Sequence, residues 1–147
     1  MNIPFAPASD NLLPPLETFD SPISKDSNNA VIKIIFPEFT CLCPKTGYPD
    51  FASIELYYLP KNKCLELKSW KLYLNAFRNI GTFHEAVINR IFNTLNEILE
   101  PQWLRIVGDF FPRGNVNTTV CIETETPAPR CVEYLFESTR SHARTFQ

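Results

Sequence analysis

The chain has 147 residues, 44% hydrophobic and 20% charged, with a net charge of −2. That length supports one domain with a real core, and the lack of any basic block leaves no footprint for a nucleic-acid backbone. Met1–Pro4 lacks the basic start and apolar run of a signal peptide, no apolar stretch approaches the ~20 residues of a membrane helix, and the five cysteines (Cys41, Cys43, Cys64, Cys121, Cys131) are odd in number, so the expectation is a cytoplasmic protein with reduced thiols.

Residues 1–29 carry five prolines among Asn and Ser clusters and read as an irregular arm lying on the fold or on a neighbouring subunit. A single domain is expected over 30–147. Its first strand is the β-branched run Ala30–Phe36. Pro37–Phe51 follows, with three prolines, a Thr-Gly pair, Cys41, Cys43 and Asp50. Helix and central strand are disfavoured there, and a stiff loop is expected. Pro44 pushes Cys43 into an extended backbone. Ala52–Leu59 alternates as a second strand, and 60–63 is a turn. From about Ser69 the spacing of Trp70, Tyr73, Leu74 and Phe77 predicts a helix ending at Asn79-Ile80-Gly81. Thr82-Phe83-His84-Glu85 matches a capping box, opening a helix to about Leu99 with Phe83, Val87, Ile91, Leu95 and Ile98 as its apolar stripe. Pro101 stops it. Trp103–Phe110 is a third strand, 111–115 a turn, and Asn117–Thr124 a fourth. The order β-β-α-α-β-β predicts an α+β fold, a four-stranded antiparallel sheet with two helices on one face. Such a sheet has two open edges that need covering or pairing, for instance with neighbouring subunits.

Several side chains could carry chemistry, and each has a plain reading beside the functional one. Cys43 and Asp50 on one stiff loop suit a nucleophile and a proton donor. They equally suit a buried cysteine and a turn-capping aspartate, and the loop alone favours the latter. Lys68 and Lys71 on pattern alone are solvated residues of a first helical turn. Glu85 reads as a capping residue and His84 as a helix-start residue.

Glu66-Leu67-Lys68-Ser69-Trp70-Lys71-Leu72-Tyr73 shifts that balance. All eight positions comply with the signature Glu-(Ser/Leu)-Lys-(Ser/Ala)-apolar-Lys-(Leu/Tyr)-(Tyr/Phe/Trp), and the octapeptide closely resembles that of the NADPH-dependent 7-cyano-7-deazaguanine reductases, the nitrile reductases of queuosine biosynthesis. Phe39–Ala52 is similar to the family's catalytic loop. Phe83-His84-Glu85 and Pro112-Arg113-Gly114-Asn115 also match, in order and at similar spacing. The resemblance spans about residues 30 to 125 and suits the single-domain branch.

The resemblance implies the tunnelling fold (T-fold), with sheets closed into a barrel by neighbouring subunits, sites at interfaces, and a homo-oligomer of two stacked pentamers. It implies that Cys43, not Cys41, is the nucleophile forming a thioimide, with Asp50 as proton donor. It implies that Leu65, Glu66, Leu67, His84 and Glu85 bind the substrate 7-cyano-7-deazaguanine, Glu85 accepting from the base's donor edge. By the same resemblance Leu67, Lys68, Arg113 and Gly114 bind NADPH, the cations meeting its phosphates. Neither direct nucleic-acid binding nor a membrane is expected. No metal is expected: Cys41, Cys43 and His84 offer a poor chelate spacing, and no second Cys pair or His-x-His completes four ligands. Two other readings stay open, a zinc-dependent T-fold relative acting on a pterin or purine, and a non-catalytic module that only holds a purine-like ligand.

Overall fold

Two long hairpins build the sheet in the computed structural model, which describes residues 13–23, 30–133 and 135. Strands β2 (Ile32–Leu42) and β3 (Pro49–Leu59) form the first hairpin, and β5 (Trp103–Arg113) and β6 (Val116–Glu123) the second. They pair antiparallel in the order β2-β3-β5-β6, leaving β2 and β6 as the edges. Between the hairpins lie α1 (Leu67–Asn75), a 3-10 turn (Ala76–Asn79) and α2 (His84–Leu99). Two short strands lie outside the expected plan. β1 (Thr18–Asp20) pairs antiparallel with β4 (Lys63–Leu65), so part of the arm read as irregular is a strand laid on its own fold. Glu17 N–H also donates to Ser69 Oγ at 2.9 Å and tethers the arm to the start of α1.

Both helices pack on one face. Trp70, Tyr73, Leu74, Phe77, Val87, Ile88, Ile91, Leu95 and Leu99 interlock with Phe39, Ala52, Ile54, Leu56, Tyr58, Leu104, Ile106 and Phe110. Each of the large apolar side chains among them contributes about 1.5–3 kcal/mol by leaving water. α2 can approach closely because β5 carries Gly108 beneath it: a Cβ there would lie 2.4 Å from Ile88 Cδ1. The opposite face carries a smaller core of Tyr57, Leu59, Trp103 and Val132.

The expected loop 37–51 is mostly strand, and the two hairpin arms run on to Leu42 and from Pro49. Proline fits because β2 is an edge strand and Pro37 lies at a β-bulge: Phe36 pairs with Ile54 and Phe39 with Ala52, so β2 carries one residue more than its partner. That extra residue reverses the alternation of faces. Ile32, Ile34 and Phe36 face the helices, and beyond the bulge Phe39 and Cys41 do so instead of Glu38 and Thr40. A second bulge lies at the same end of the sheet, where Phe110 pairs with Thr118 and Arg113 with Val116. It likewise contains a proline, Pro112, and carries Arg113 round to the helix side. The expected turn 111–115 shrinks to Gly114-Asn115, whose φ values of 59° and 66° are those of a two-residue type I′ hairpin.

Other boundaries shift for local reasons. α1 starts at Leu67, not Ser69, because Glu66 caps it, its carboxylate accepting from Lys68 N–H at 2.8 Å and Ser69 N–H at 2.7 Å. The capping box before α2 does not form: Phe83 is the N-cap with no side-chain cap bond, and Thr82 Oγ1 donates to the Phe83 carbonyl. The α2 stripe is rotated, with Ile88 and Leu99 buried in place of Phe83 and Ile98; Phe83 precedes the helix and is 53% exposed. Among the described residues no helix is long and apolar enough to cross a membrane.

Candidate active site

Two backbone devices bring the expected loop to the start of α2. A tight turn from Cys43 to Tyr48 closes the first hairpin, with Cys43 N–H donating to the Tyr48 carbonyl and Gly47 N–H to that of Cys43, both at 2.8 Å. The end of β2 is then bridged to the segment before α2: Leu42 N–H donates to Ile80 O, and Thr82 N–H to Leu42 O, each at 3.0 Å. Cys43, one residue beyond the bridge, therefore lies beside Phe83 and His84.

Asp50 is the electrostatic centre. It is buried at the mouth of the hairpin. Arg113 Nη1 lies 2.6 Å from its Oδ1 and His84 Nε2 3.2 Å from its Oδ2. His84 is fixed by its ring, stacked on Phe110 with centroids 3.7 Å apart and planes 9° from parallel. Arg113 also donates to the Tyr48 and Pro49 carbonyls and, through Nη2, to Thr46 Oγ1 at 3.3 Å. Cys43, Asp50, His84, Glu85 and Arg113 line one cavity of about 290 Å³, walled by Phe83, Phe111 and Val116. Glu85, released from the helix cap, is exposed on its rim.

The two neighbouring thiols differ chemically. The Cys43 pKa is lowered from 9.0 to about 7, foremost by a hydrogen bond from the Thr46 side chain, with further help from the Lys45 and Thr46 amides and from Arg113. Cys41 is fully buried. Burial, and then the Asp50 charge, push its pKa up to about 12, so it stays a neutral thiol near pH 7. Only the thiolate is nucleophilic, so of the pair Cys43 is the one whose acidity suits a nucleophile.

The remaining expected residues lie elsewhere on the chain. Leu65, Glu66 and Leu67 line a second cavity of about 550 Å³ with Phe19, Ile32, Lys33 and Tyr58. Lys68 lines a third, of about 290 Å³, with Pro14, Glu17 and Ser69. Gly114 adjoins Arg113 in the hairpin turn. A single chain thus gathers Cys43, Asp50, His84, Glu85 and Arg113, and it does not bring Lys68 to Arg113 or Glu66 to Cys43. Arg113, expected on the cofactor, holds Asp50 and Thr46. Sequence reasoning passed over Thr46, although it lies within the quoted loop, and Phe110, whose role as platform for His84 needs the sheet register.

A family model described as QueF-like protein matches residues 49–129, more than half of the chain. The chain belongs to the QueF-like family. Among curated relatives, proteins named NADPH-dependent 7-cyano-7-deazaguanine reductase are similar over 70–75% of this chain. The one from Campylobacter lari is 52% identical over 103 residues, covering 70% of this chain and 81% of the relative. That from Anaeromyxobacter sp. (strain K) is 54% identical over 105 residues, covering 71% and 84%, and that from Aquifex aeolicus 49% over 110, covering 75% and 84%. The crystal structure of the archaeosine synthase QueF-Like in the apo form superposes with a TM-score of 0.61 at 14% identity, over 67% of this chain and 96% of that one. At that identity the likeness establishes the fold alone, and the fold of this QueF-like chain is the expected T-fold.

Proposed function

We propose that this protein is an NADPH-dependent nitrile oxidoreductase that reduces 7-cyano-7-deazaguanine to 7-aminomethyl-7-deazaguanine in queuosine biosynthesis. The observation that carries the reading is the constellation itself: an activated thiol, Cys43, facing Asp50, His84 and Glu85 in one cavity, in a chain about half identical to proteins named for that reaction.

A nitrile carbon is a modest electrophile and calls for a thiolate. Cys43 Sγ adds to it, a C–S bond forms, one C≡N π bond breaks, and the nitrogen takes a proton from Asp50, leaving a covalent thioimide. NADPH, when bound, supplies a hydride in each of two successive reductions. The first, with a proton, turns the thioimide into a tetrahedral amine on Cys43. Departure of the sulfur then gives an imine and the free thiol. The second, with another proton, gives the primary amine. Asp50 and His84, in contact at 3.2 Å, form the proton-handling pair. Glu85 offers two carboxylate oxygens to an amino and ring N–H pair. The chemistry requires a free thiol, in keeping with a cytoplasmic location.

The donor set suits NADPH. Lys68 is exposed at the start of α1, and Arg113 remains 42% exposed while holding Asp50. Each presents a cation to solvent where a phosphate could meet it. These residues, with Leu65, Glu66, Leu67 and Gly114, complete the site when a second subunit brings its 65–68 segment to the Cys43 cavity of the first. The open edges β2 and β6 are the surfaces through which subunits would join, consistent with a ring of subunits such as two stacked pentamers. Mixing the protein with 7-cyano-7-deazaguanine and NADPH and following cofactor absorbance tests the reading. Two NADPH consumed per amine formed is expected; binding without NADPH consumption would turn it into a purine-binding module.

A further inference from the structure

Segment 65–68 is held by the N-terminal arm as well as by the sheet. The sheet reaches it through Tyr58, whose Oη accepts from Leu65 N–H at 3.0 Å. The arm takes over at Glu66. Glu66 N–H donates to the Glu17 carbonyl at 2.9 Å. The Glu66 carbonyl accepts from Ser69 Oγ at 2.8 Å, and that same oxygen accepts from Glu17 N–H at 2.9 Å. Glu17 thus engages both backbone groups of Glu66, one directly and one through Ser69. The Ser69 hydroxyl is buried, where a polar group needs such partners. Beyond Glu17, β1 runs beside β4 from Thr18 opposite Leu65 to Asp20 opposite Lys63, and Ser21 N–H donates to Asn62 O at 2.8 Å. Phe19, Pro22 and Ile23 of the arm join Leu65, Glu66 and Leu67 around the cavity of about 550 Å³. Two strands of three residues are marginal as a pair, so the anchor at Ser69 decides whether the arm stays on the segment.

We propose that the N-terminal arm positions the ligand-binding segment 65–68, and that Ser69 is the positioning residue through which it acts. The inference rests on the reading of that segment as the part of the chain that meets substrate and cofactor. Loss of the brace lets Glu66 and its neighbours turn, and the effect falls on ligand binding. The thiol chemistry is spared, because among the described residues the lining of the Cys43 cavity includes none from the arm or from 65–69.

Three full-length variants test this: Ser69→Ala, Glu17→Pro and the two combined. Alanine suits a helical first turn. Proline removes the Glu17 N–H, keeps its carbonyl, and is tolerated at the entry of an edge strand. Amide hydrogen exchange over 64–69, read by mass spectrometry without ligands, should be about fivefold faster in both single variants, the size of one net hydrogen bond. Exchange over α2 should not change. With 7-cyano-7-deazaguanine and NADPH, KM should rise by a similar factor, while kcat and the rate of Cys43 alkylation by iodoacetamide keep their parent values. The double variant should go no further than Ser69→Ala alone, since both remove the same bond to the arm. Ser69→Thr, which keeps the hydroxyl, should restore the parent behaviour. Unchanged exchange and KM in Glu17→Pro, full additivity in the double variant, or an equal loss in kcat and in alkylation would overturn the proposal, because a serine that merely caps α1 is blind to Glu17. Should circular dichroism show Ser69→Ala unfolded, Glu17→Pro carries the same expectation. Exchange and alkylation need neither nitrile nor NADPH, so a parent protein that consumes no NADPH sinks the reductase reading and leaves the exchange result to judge the arm.

Discussion

Cys41 and Cys43 are two residues apart and differ by about five units in acidity, one near 12 and one near 7. Burial without a donor separates the first from a sulfur ringed by donors. With NADPH withheld, the nitrile adduct should accumulate on Cys43, because addition needs only the thiolate and a proton. Intact-protein mass spectrometry should show one substrate mass per chain, absent in Cys43→Ala and present in Cys41→Ala. Asp50→Asn should still bind the base but add it about 10²–10⁴-fold more slowly, the usual loss when a general acid is removed; stopped-flow measurement of adduct formation would show it. Glu85→Gln should act differently, raising the substrate KM, since one acceptor becomes a donor facing a donor.

At the scale of elements, the site is organised by two bulges and one close approach. Gly108 lets α2 sit against β5, and α2 delivers His84 and Glu85 from its first turn. Gly108→Ala should destabilise the fold by about 1–3 kcal/mol through overpacking, read from urea unfolding, and should lower kcat further by displacing His84 from Phe110 and Asp50. The two hairpins and the helix pair were legible in the sequence because apolar periodicity reports burial directly: Trp70, Tyr73, Leu74 and Phe77 lie inside, as their spacing predicts. Pro37 and Pro112 were not legible as strand residues. Proline argues against a strand interior in general, and only the pairing register reveals an edge bulge that accommodates it. The capping-box motif before α2 failed for a related reason. The Leu42–Thr82 bridge fixes the backbone there, so the helix begins one residue later and Glu85 turns to the cavity. Cys43, Asp50, His84 and Glu85 were picked out through the family resemblance; their meeting in one cavity follows from folding.

For the whole molecule, the two halves of the expected site lie on different surfaces of one chain, and this has a measurable outcome. Light scattering should show a homo-oligomer, and an active monomer would refute the shared-site reading. Mixing denatured Cys43→Ala and Lys68→Ala chains and refolding them together should regenerate intact sites, about a quarter of the total at equal proportions, although the first variant alone turns nothing over and the second needs more NADPH. Lys68→Ala alone should raise the KM for NADPH and leave the NADPH-free adduct intact.

The donors that hold the Cys43 sulfur come from places far apart along the chain: the turn at 45–46, and Arg113 at the end of the second hairpin. The largest of these contributions comes from Thr46, three residues away, and the smallest from Arg113, so the lowered pKa of the thiol depends foremost on the closed hairpin turn. Unfolding opens that turn and returns Cys43 to the ordinary thiol range, mostly protonated at pH 7 and slow toward electrophiles. At pH 7, alkylation of Cys43 should be slower in urea than in the native protein, the reverse of the usual order for a partly buried cysteine.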